Sequence, residues 1–477
     1  MNQILAIAAD EWRYWKRSRL AASVLLTGVI LLAGAALLTG VRMSEAAHER
    51  AHLQTTAQET FLAQPDRHPH RMVHYGHYVF RTPPPLSIID PGIDAYTGSA
   101  IFLEGHKQNT AMFSERQSGS SLAAFGSFTP AGLMQLLAPL LLILMGYNLI
   151  TREREGRTLD QLLAQGASPG AILLGKGLAL AAAAGVMLLP LVIGASIAVF
   201  NGGSALASAT FVLGYAVYLL LWCALILFIS SRMTSRSASL GTSLALWVII
   251  AMLIPPISSS TATGLVDSPG KIETDFAVLQ AVKDLGDGHN AGDPAFTALR
   301  ANLLLQYDVD SVEELPVNFR GVVAQAAEAD LTRIFNEYAE AKMDREIVQA
   351  KAARLFGWLS PVLSLRQYST TVAGVDLETH HRFLREAEDV RFDFVQGLNK
   401  VHAEQLAYAD DIKRSSDAAS EQRTRMSSEN WNVLNDFQFI AAPASERFSA
   451  SLASLAKLLT WLLGALLLCA TVGRRSL

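Results

Sequence analysis

The sequence predicts a mainly α fold: a polytopic membrane protein of six spanning helices that carries two large, largely helical extracytoplasmic domains. Three observations predict it. Of the 477 residues, 51% are hydrophobic and only 17% are charged, which is too apolar for a soluble protein of this length. The apolar residues gather in six blocks, each near the roughly 20 residues that a helix needs to cross a bilayer core. Lysine and arginine flank alternate ends of these blocks, as expected when cationic flanks stay in the cytoplasm.

The spans fall at 20–41, 130–150, 177–200, 207–229, 240–257 and 452–472. The first is read as a retained helix, because it is long, begins near position 20 and lacks an Ala-x-Ala cleavage site before the polar stretch. Arg13, Lys16, Arg17 and Arg19 precede it, and Arg152, Arg154, Arg157 and Lys176 lie between spans two and three. Arg232 and Arg236 separate spans four and five, whereas Arg474 and Arg475 follow span six. The short connection 201–206, assigned outside, carries no charge. Both termini are therefore expected in the cytoplasm, with 1–19 an interfacial amphipathic helix, 151–176 a cytoplasmic connector and 473–477 a cytoplasmic tail.

That topology places 42–129 and 258–451 outside as two domains. In the second, Phe319, Val322, Val323, Ala326, Leu331, Ile334, Phe335 and Tyr338 recur at helical spacing. Asp376 is placed to cap a further helix whose inner face holds Leu384, Ala387, Phe394, Leu398 and Val401. Helix-on-helix packing accounts for both stripes better than ligand binding does. The apolar stretch 355–365 is too short to span and is expected on the membrane surface. The first domain holds His48, His52, His68, His70, His74, His77 and His106, seven of the 11 histidines. The spacings His48/His52, His68/His70 and His74/His77 each offer two imidazoles. Scattered over a helix and a Pro-rich loop, they define no site, so no metal ligand and no cofactor is assigned.

Several function classes are disfavoured. A net charge of -4 gives no basic field for nucleic acid. Cys223 and Cys469 both lie in apolar blocks and form neither a staple for the outer domains nor a Cys-x-x-Cys site. The spans hold almost no ionisable residue. Lys457, near the outer end of span six, is read as snorkelling to the interface, and Gln135 and Asn148 as pairing between helices. With no internal proton or sodium relay, the energy must come from a separate motor. Residues 170–177 (GAILLGKG) nearly spell a phosphate-binding loop, but Gly177 stands where a magnesium-holding Ser or Thr belongs and no strand precedes it. No nucleophile elbow is present, so the chain is read as non-catalytic.

The cytoplasmic segments carry the remaining signal. Ile4, Leu5, Ile7, Ala8, Trp12 and Trp15 stand beside Arg13, Lys16 and Arg17, a composition suited to a helix at the interface. The connector begins densely charged and then presents Leu159, Leu162 and Leu163 on one helical face before a break at 164–169. A solvated loop explains only its first half. The leucine face calls for a partner surface, either protein or lipid.

The run Glu153-x-Glu155-x-x-Thr158-Leu159-x-x-Leu162-Leu163, with Ser168-Pro169 and Leu173-Leu174-Gly175-Lys176 directly after it, resembles the permeases of ABC-2-type ATP-binding-cassette transporters. The resemblance implies an exporter permease of a bacterial inner membrane, powered by a separate cytoplasmic ATPase and working beside a second permease copy or a paralogue. It further implies that the N-terminal helix and the connector dock on that ATPase. The candidate coupling residues are then Trp12, Arg13, Glu153, Arg154, Glu155, Gly156, Thr158, Leu159, Leu162 and Leu163. Tyr75-Gly-His-Tyr-Val-Phe-Arg81, Pro85-Leu-Ser-Ile-Ile-Asp-Pro-Gly92, Glu104-Gly-His-Lys-Gln-Asn109 and Ser360-Pro-Val-Leu-Ser364 resemble a subgroup with two large external insertions, related to multicopper-enzyme-maturation permeases. That likeness covers nearly the whole chain and speaks to architecture, not to cargo. A second function class is mechanotransmission, in which ATPase strokes drive the external domains to regulate a periplasmic protein without moving cargo. A passive scaffold leaves the connector motif unexplained.

Overall fold

The computed structural model describes residues 3–112, 129–283, 285, 290, 292–434 and 437–474. Residues 475–477 of the expected tail, and residues 113–128 of the first insertion, lie outside the described residues, whereas 473 and 474 continue the last helix. Among the described residues, six helices are long and apolar enough to cross a membrane: Ala21–Leu62, Pro130–Glu155, Pro169–Phe200, Ala205–Arg232, Arg236–Leu265 and Ala444–Val472. Each contains one of the expected blocks nearly whole, and most run beyond it.

The spans start where local chemistry allows. Helix α1 (Gln3–Arg17) leads into α2 (Arg19–Leu62). Helix α3 (Pro130–Gly146) opens on Thr129, whose hydroxyl accepts from Gly132 N at 3.0 Å, with Pro130 at the first helical position. Two short helices, α4 (Thr151–Glu155) and α5 (Thr158–Ala164), form the connector. Helix α6 (Pro169–Phe200) repeats the start of α3, with Ser168 accepting from Ala171 N at 3.1 Å and Pro169 first in line. The span therefore begins eight residues before the expected 177. Helices α7 (Ala205–Arg232) and α8 (Arg236–Leu265) follow. In α8 the turns Val248–Leu253 are π-helical, immediately before Pro255 and Pro256, which have no N–H to offer the ladder.

Two boundaries differ from expectation for physical reasons. Helix α2 runs 44 residues, about 66 Å at 1.5 Å per residue, because no Gly or Pro occurs between Val41 and Leu62 to stop it. The end expected at 41 marks a change in composition and not in backbone. Residues 355–365 divide in two: Leu355, Trp358 and Leu359 are exposed, whereas from Ser360 onward the stretch turns into the bundle. They end α9 (Phe319–Leu355) and begin α10 (Pro361–Ala373), which inserts between α7 and α12 (Ala444–Arg474) with Val362, Leu365 and Tyr368 fully buried. The insertion is tolerated because its polar groups find partners. Tyr368 donates to Thr210 O at 2.6 Å and Ser360 to Ile250 O, in the π-helical turn, at 2.7 Å. Gly214 makes room, since a Cβ there would sit 2.2 Å from the Tyr368 ring.

Helix α7 is the centre of the bundle, ringed by α3, α6, α10 and α12, with Phe211, Tyr215, Tyr218 and Trp222 buried. Gln135 pairs between helices as expected, donating to the Tyr215 hydroxyl at 3.2 Å. Lys457, read from the sequence as snorkelling, has a partner for its ammonium. It donates to Arg354 O at 2.7 Å and ties α12 to the end of α9.

The two insertions share one core. Strand β1 (His77–Phe80) pairs antiparallel with β2 (Ala100–Leu103), His77 opposite Leu103. Together with Phe61 at the tip of α2 and Met72 and Val73 of the short helix Pro69–Val73, they pack on Phe383, Phe394 and Leu398 of α11 (Leu377–Gln405) and on Trp431. Asp376 caps α11 as expected, accepting from Thr379 N at 3.0 Å. The expected stripe of α9 is buried at Phe319, Val323 and Ile334, and Gly321 lets α9 meet α11, since a Cβ there would lie 2.4 Å from Ala403 N.

The ring of Phe394 meets that of Phe61 edge-on, with centroids 5.6 Å apart, and joins the insertions. Phe394→Ala should cost about 3–5 kcal/mol. It should appear as a lower unfolding temperature of the purified protein and as new proteolytic cuts in both insertions. Cuts confined to the second insertion would contradict a shared core.

Candidate coupling site

Helix α1 buries one stripe, Ala8, Glu11, Trp12 and Trp15, against the bundle, and turns Asp10 and Arg13 outward, where they pair at 3.3 Å. The acid in that stripe is fully buried. Arg152 grips Glu11 with both terminal nitrogens, at 3.1 and 2.7 Å, and Lys176 Nζ donates to the same carboxylate at 2.5 Å. Glu153 completes the ring, accepting from Lys176 at 2.8 Å and from Arg152 at 3.0 Å. Two acids and two bases thus alternate in sign and sum to zero. The Arg152 guanidinium also stacks on Tyr14 at 3.7 Å. Withdrawing each ion from water costs several kcal/mol, which the opposed charges and their hydrogen bonds offset only while all four are present.

The sequence folds this way because α1 can approach α6 closely. Gly175 faces Ile7, and a Cβ there would fall 2.7 Å from the Ile7 Cβ and 2.9 Å from Ile4 O. That contact sets Lys176 against Glu11.

The rest of the connector is a clasp. Arg154 donates to Ser231 O at 2.8 Å and to Met233 O, at the carboxyl end of α7. Glu155 accepts from Arg236 N at 2.7 Å and pairs with its side chain at 2.8 Å, at the amino end of α8. Ser230 accepts from Ile150 N at 3.0 Å. Thr158 donates to the second oxygen of Glu153, and Arg157 takes the left-handed turn between α4 and α5 at φ 53°.

The ten expected coupling residues therefore divide. Trp12, Glu153, Arg154 and Leu159 are engaged within the chain, Leu159 inside the main core, so part of the leucine face is covered by the bundle itself. Leu162 and Leu163 are half-buried. Arg13, Glu155, Gly156 and Thr158 are exposed, together with Arg157, Asp160 and Gln161, although Glu155 and Thr158 also bond within the chain. Glu11 was missed by sequence reasoning. Its signal was an acid at position i+3 from Ala8 and i−4 from Trp15, inside an otherwise apolar stripe.

At the other end a buried polar chain links the insertions to the spans. Asp90 accepts from Gly92 N at 3.0 Å and from the Ser369 hydroxyl, which meets the Tyr215 hydroxyl at 2.9 Å. Burial raises the Asp90 pKa above the ordinary carboxylate value. The histidines pair differently from their sequence spacing. His48 and His52 are exposed on α2, His77 is buried in β1, and His68 meets His402 and Asp411. His70, His74 and His106 come together.

Six long apolar helices, with α1 and a short connector locked together at one end, define a polytopic membrane protein. The family model for ABC-2 family transporter proteins matches residues 5–308. The chain belongs to that family, and is thereby a permease component of the membrane. A second family model, a domain of unknown function (DUF3526), matches residues 272–440, most of the second insertion. A comparison with curated proteins finds no match.

Glu11→Ala strands Arg152 and Lys176 and should destabilise the protein by about 3–5 kcal/mol. Adding Lys176→Met should recover part of that loss, so the double-mutant cycle is non-additive. Additive losses in unfolding experiments would mean that the ring is not a unit.

Burial pushes His68, His77 and His380 down to about 4 from 6.5. Between those values the unfolded chain takes up protons that the folded body refuses, so each histidine withdraws stability as pH falls from 6.5 to 4. Asp94, pushed up to about 6 by burial, acts in the opposite sense. His77→Phe should therefore lower the unfolding temperature less on going from pH 7 to pH 4.5 than the natural chain does. Equal slopes would refute the assignment.

Proposed function

We propose that the chain is the permease of an ATP-binding-cassette exporter whose ATPase is a separate polypeptide that docks on the outer surface of α1, α4 and α5. The observation that carries this is the buried ring Glu11–Arg152–Glu153–Lys176. It joins the interfacial helix, the connector and span three, so a push on any one is delivered to the others. The ring is the transmission and the exposed residues around it are the contact: Arg13, Gly156, Arg157, Thr158, Asp160 and Gln161. In this reading α1 and the connector face the cytoplasm, both termini lie there, and the insertion body stands outside a bacterial inner membrane. The cationic flanks of the spans support that orientation. A second copy or a paralogue completes the pathway. Apolar clefts open sideways where lipid chains or that second copy meet the bundle, one of about 950 Å³ lined in part by Leu37, Pro84, Ile89 and Ile193.

Mechanotransmission to a periplasmic protein is the second reading. It is favoured by the unbroken path from the spans into the insertion body through α2 and through the Asp90–Ser369–Tyr215 chain.

Arg13→Glu combined with Asp160→Lys alters only exposed side chains and should leave insertion and unfolding temperature unchanged. Retention of the ATPase on purification should fall at least about tenfold. Unchanged retention would move the docking surface elsewhere. ATP-dependent flux in vesicles holding the permease and ATPase separates export from mechanotransmission, which predicts hydrolysis governed by an outer protein and no flux.

A further inference from the structure

We propose that His70, His74 and His106 form a binding site for a divalent first-row transition-metal ion of the zinc type, on the face of the insertion body. The proposal is independent of how the chain meets an ATPase. Two nitrogens bound at 2.0–2.1 Å to one tetrahedral ion stand about 3.3 Å apart. His70 Nε2 and His74 Nε2 are 3.3 Å apart. One ligand atom from each of the three imidazoles lies within 4.8 Å of the others, and His74 is exposed, which gives an ion a way in. Imidazole nitrogens select zinc, copper or nickel over magnesium and calcium, whose sites are built from oxygen.

The backbone holds the three rings in place. His70 and His74 are one helical turn apart at the helix Pro69–Val73, whose start is capped by His68 Nδ1 accepting from His70 N at 3.2 Å. His106 comes from the turn after β2. Gly105 N donates to Val73 O at 3.0 Å, and a Cβ on Gly105 would fall 2.1 Å from Val73 Cγ1, so only glycine lets the turn seat on the helix. His106 itself sits at φ 61°, a left-handed conformation that a side chain normally avoids.

A carboxylate behind the ring supplies the outer shell. His106 Nδ1 lies 2.9 Å from Glu328 Oε2, and Glu328, fully buried on α9, is held in turn by Arg391 at 2.5 Å. A carboxylate on one ring nitrogen fixes the tautomer and presents the other, Nε2, to a metal.

The neighbouring cluster His68–His402–Asp411 shows the contrast. Its carboxylate is taken by His402 at 2.7 Å, Asn318 at 3.1 Å, His68 at 3.3 Å and Arg414 at 3.4 Å, and all three members are buried. It is a structural hub with cations already on it. The three-imidazole cluster has its acid outside the ring of ligands and its open side toward solvent.

The test is calorimetric titration of ZnCl2 into the untagged, chelator-washed full chain in detergent, with Co2+ absorption as a spectroscopic readout. One saturable zinc per chain and a tetrahedral Co2+ spectrum are expected. His74→Ala, at an exposed position, and His106→Asn, which keeps a residue tolerant of positive φ, should each weaken zinc at least about tenfold and abolish the cobalt spectrum. Glu328→Gln should weaken it roughly 10- to 100-fold. The double variant His48→Ala/His52→Ala, on the α2 stalk, should bind as the natural chain does. Absence of saturable binding to the natural chain overturns the proposal, as does undiminished binding by His74→Ala, whose exposed ring can be removed without unfolding the body.

Discussion

Two carboxylates and two cations are withdrawn from water at one end of an apolar bundle, and the positions of α1, α4 and α6 follow from keeping them neutralised. Glu11 cannot remain buried without Arg152 and Lys176, and Lys176 cannot remain without Glu11 and Glu153. The ring therefore fixes α1 against α6 and α4 against both, over sequence separations of 141 and 165 residues. Apolar packing alone is a poor source of such register, because a leucine in this setting is as content against lipid as against another helix. Charges in the same place are content only with their own partners.

The insertions repeat that logic at the far end. Glu328 and Arg391 close one buried pair between α9 and α11, and Asp411 gathers His68 from the first insertion and His402 from the second. Each pair fastens segments that are distant in sequence, and its carboxylate is fully buried. Between the two ends the connection is continuous. Helix α2 crosses the bundle and enters the insertion body without a break, and α10 leaves that body to wedge between α7 and α12. Motion of the connector clasp, which holds the ends of α7 and α8, has a direct route outward.

Hydropathy was enough to read six spans and a mainly α fold, since it expresses the solvent and not the partner. The cap at Asp376 was legible for the same reason, since it acts on its own next turn. What depended on the third dimension was hidden. Residues 355–365 are apolar and short, which suits a surface helix and a buried re-entrant one equally. Only the hydroxyls of Ser360 and Tyr368 meeting carbonyls of α8 and α7 distinguish them. In the connector, Glu153 and Leu159 looked like contact residues because charge and amphipathicity show that a side chain needs a partner, not whose it is. The partners proved to be Lys176 and the bundle core. The histidines illustrate the limit most plainly, as His106 joins His70 and His74 across more than thirty residues through a glycine contact that no spacing encodes.

The division of the connector into buried and exposed residues also bears on how a motor can act through it. A contact made by Glu153 would have to break the ring to form, at a cost of several kcal/mol, and would loosen the element it meant to move. A contact made by Arg13, Arg157 or Asp160 leaves the ring closed, so the force is carried by α1, α4 and α6 together. In the proposed coupling, the buried charges would make the connector move as one piece and the exposed ones would select what moves it.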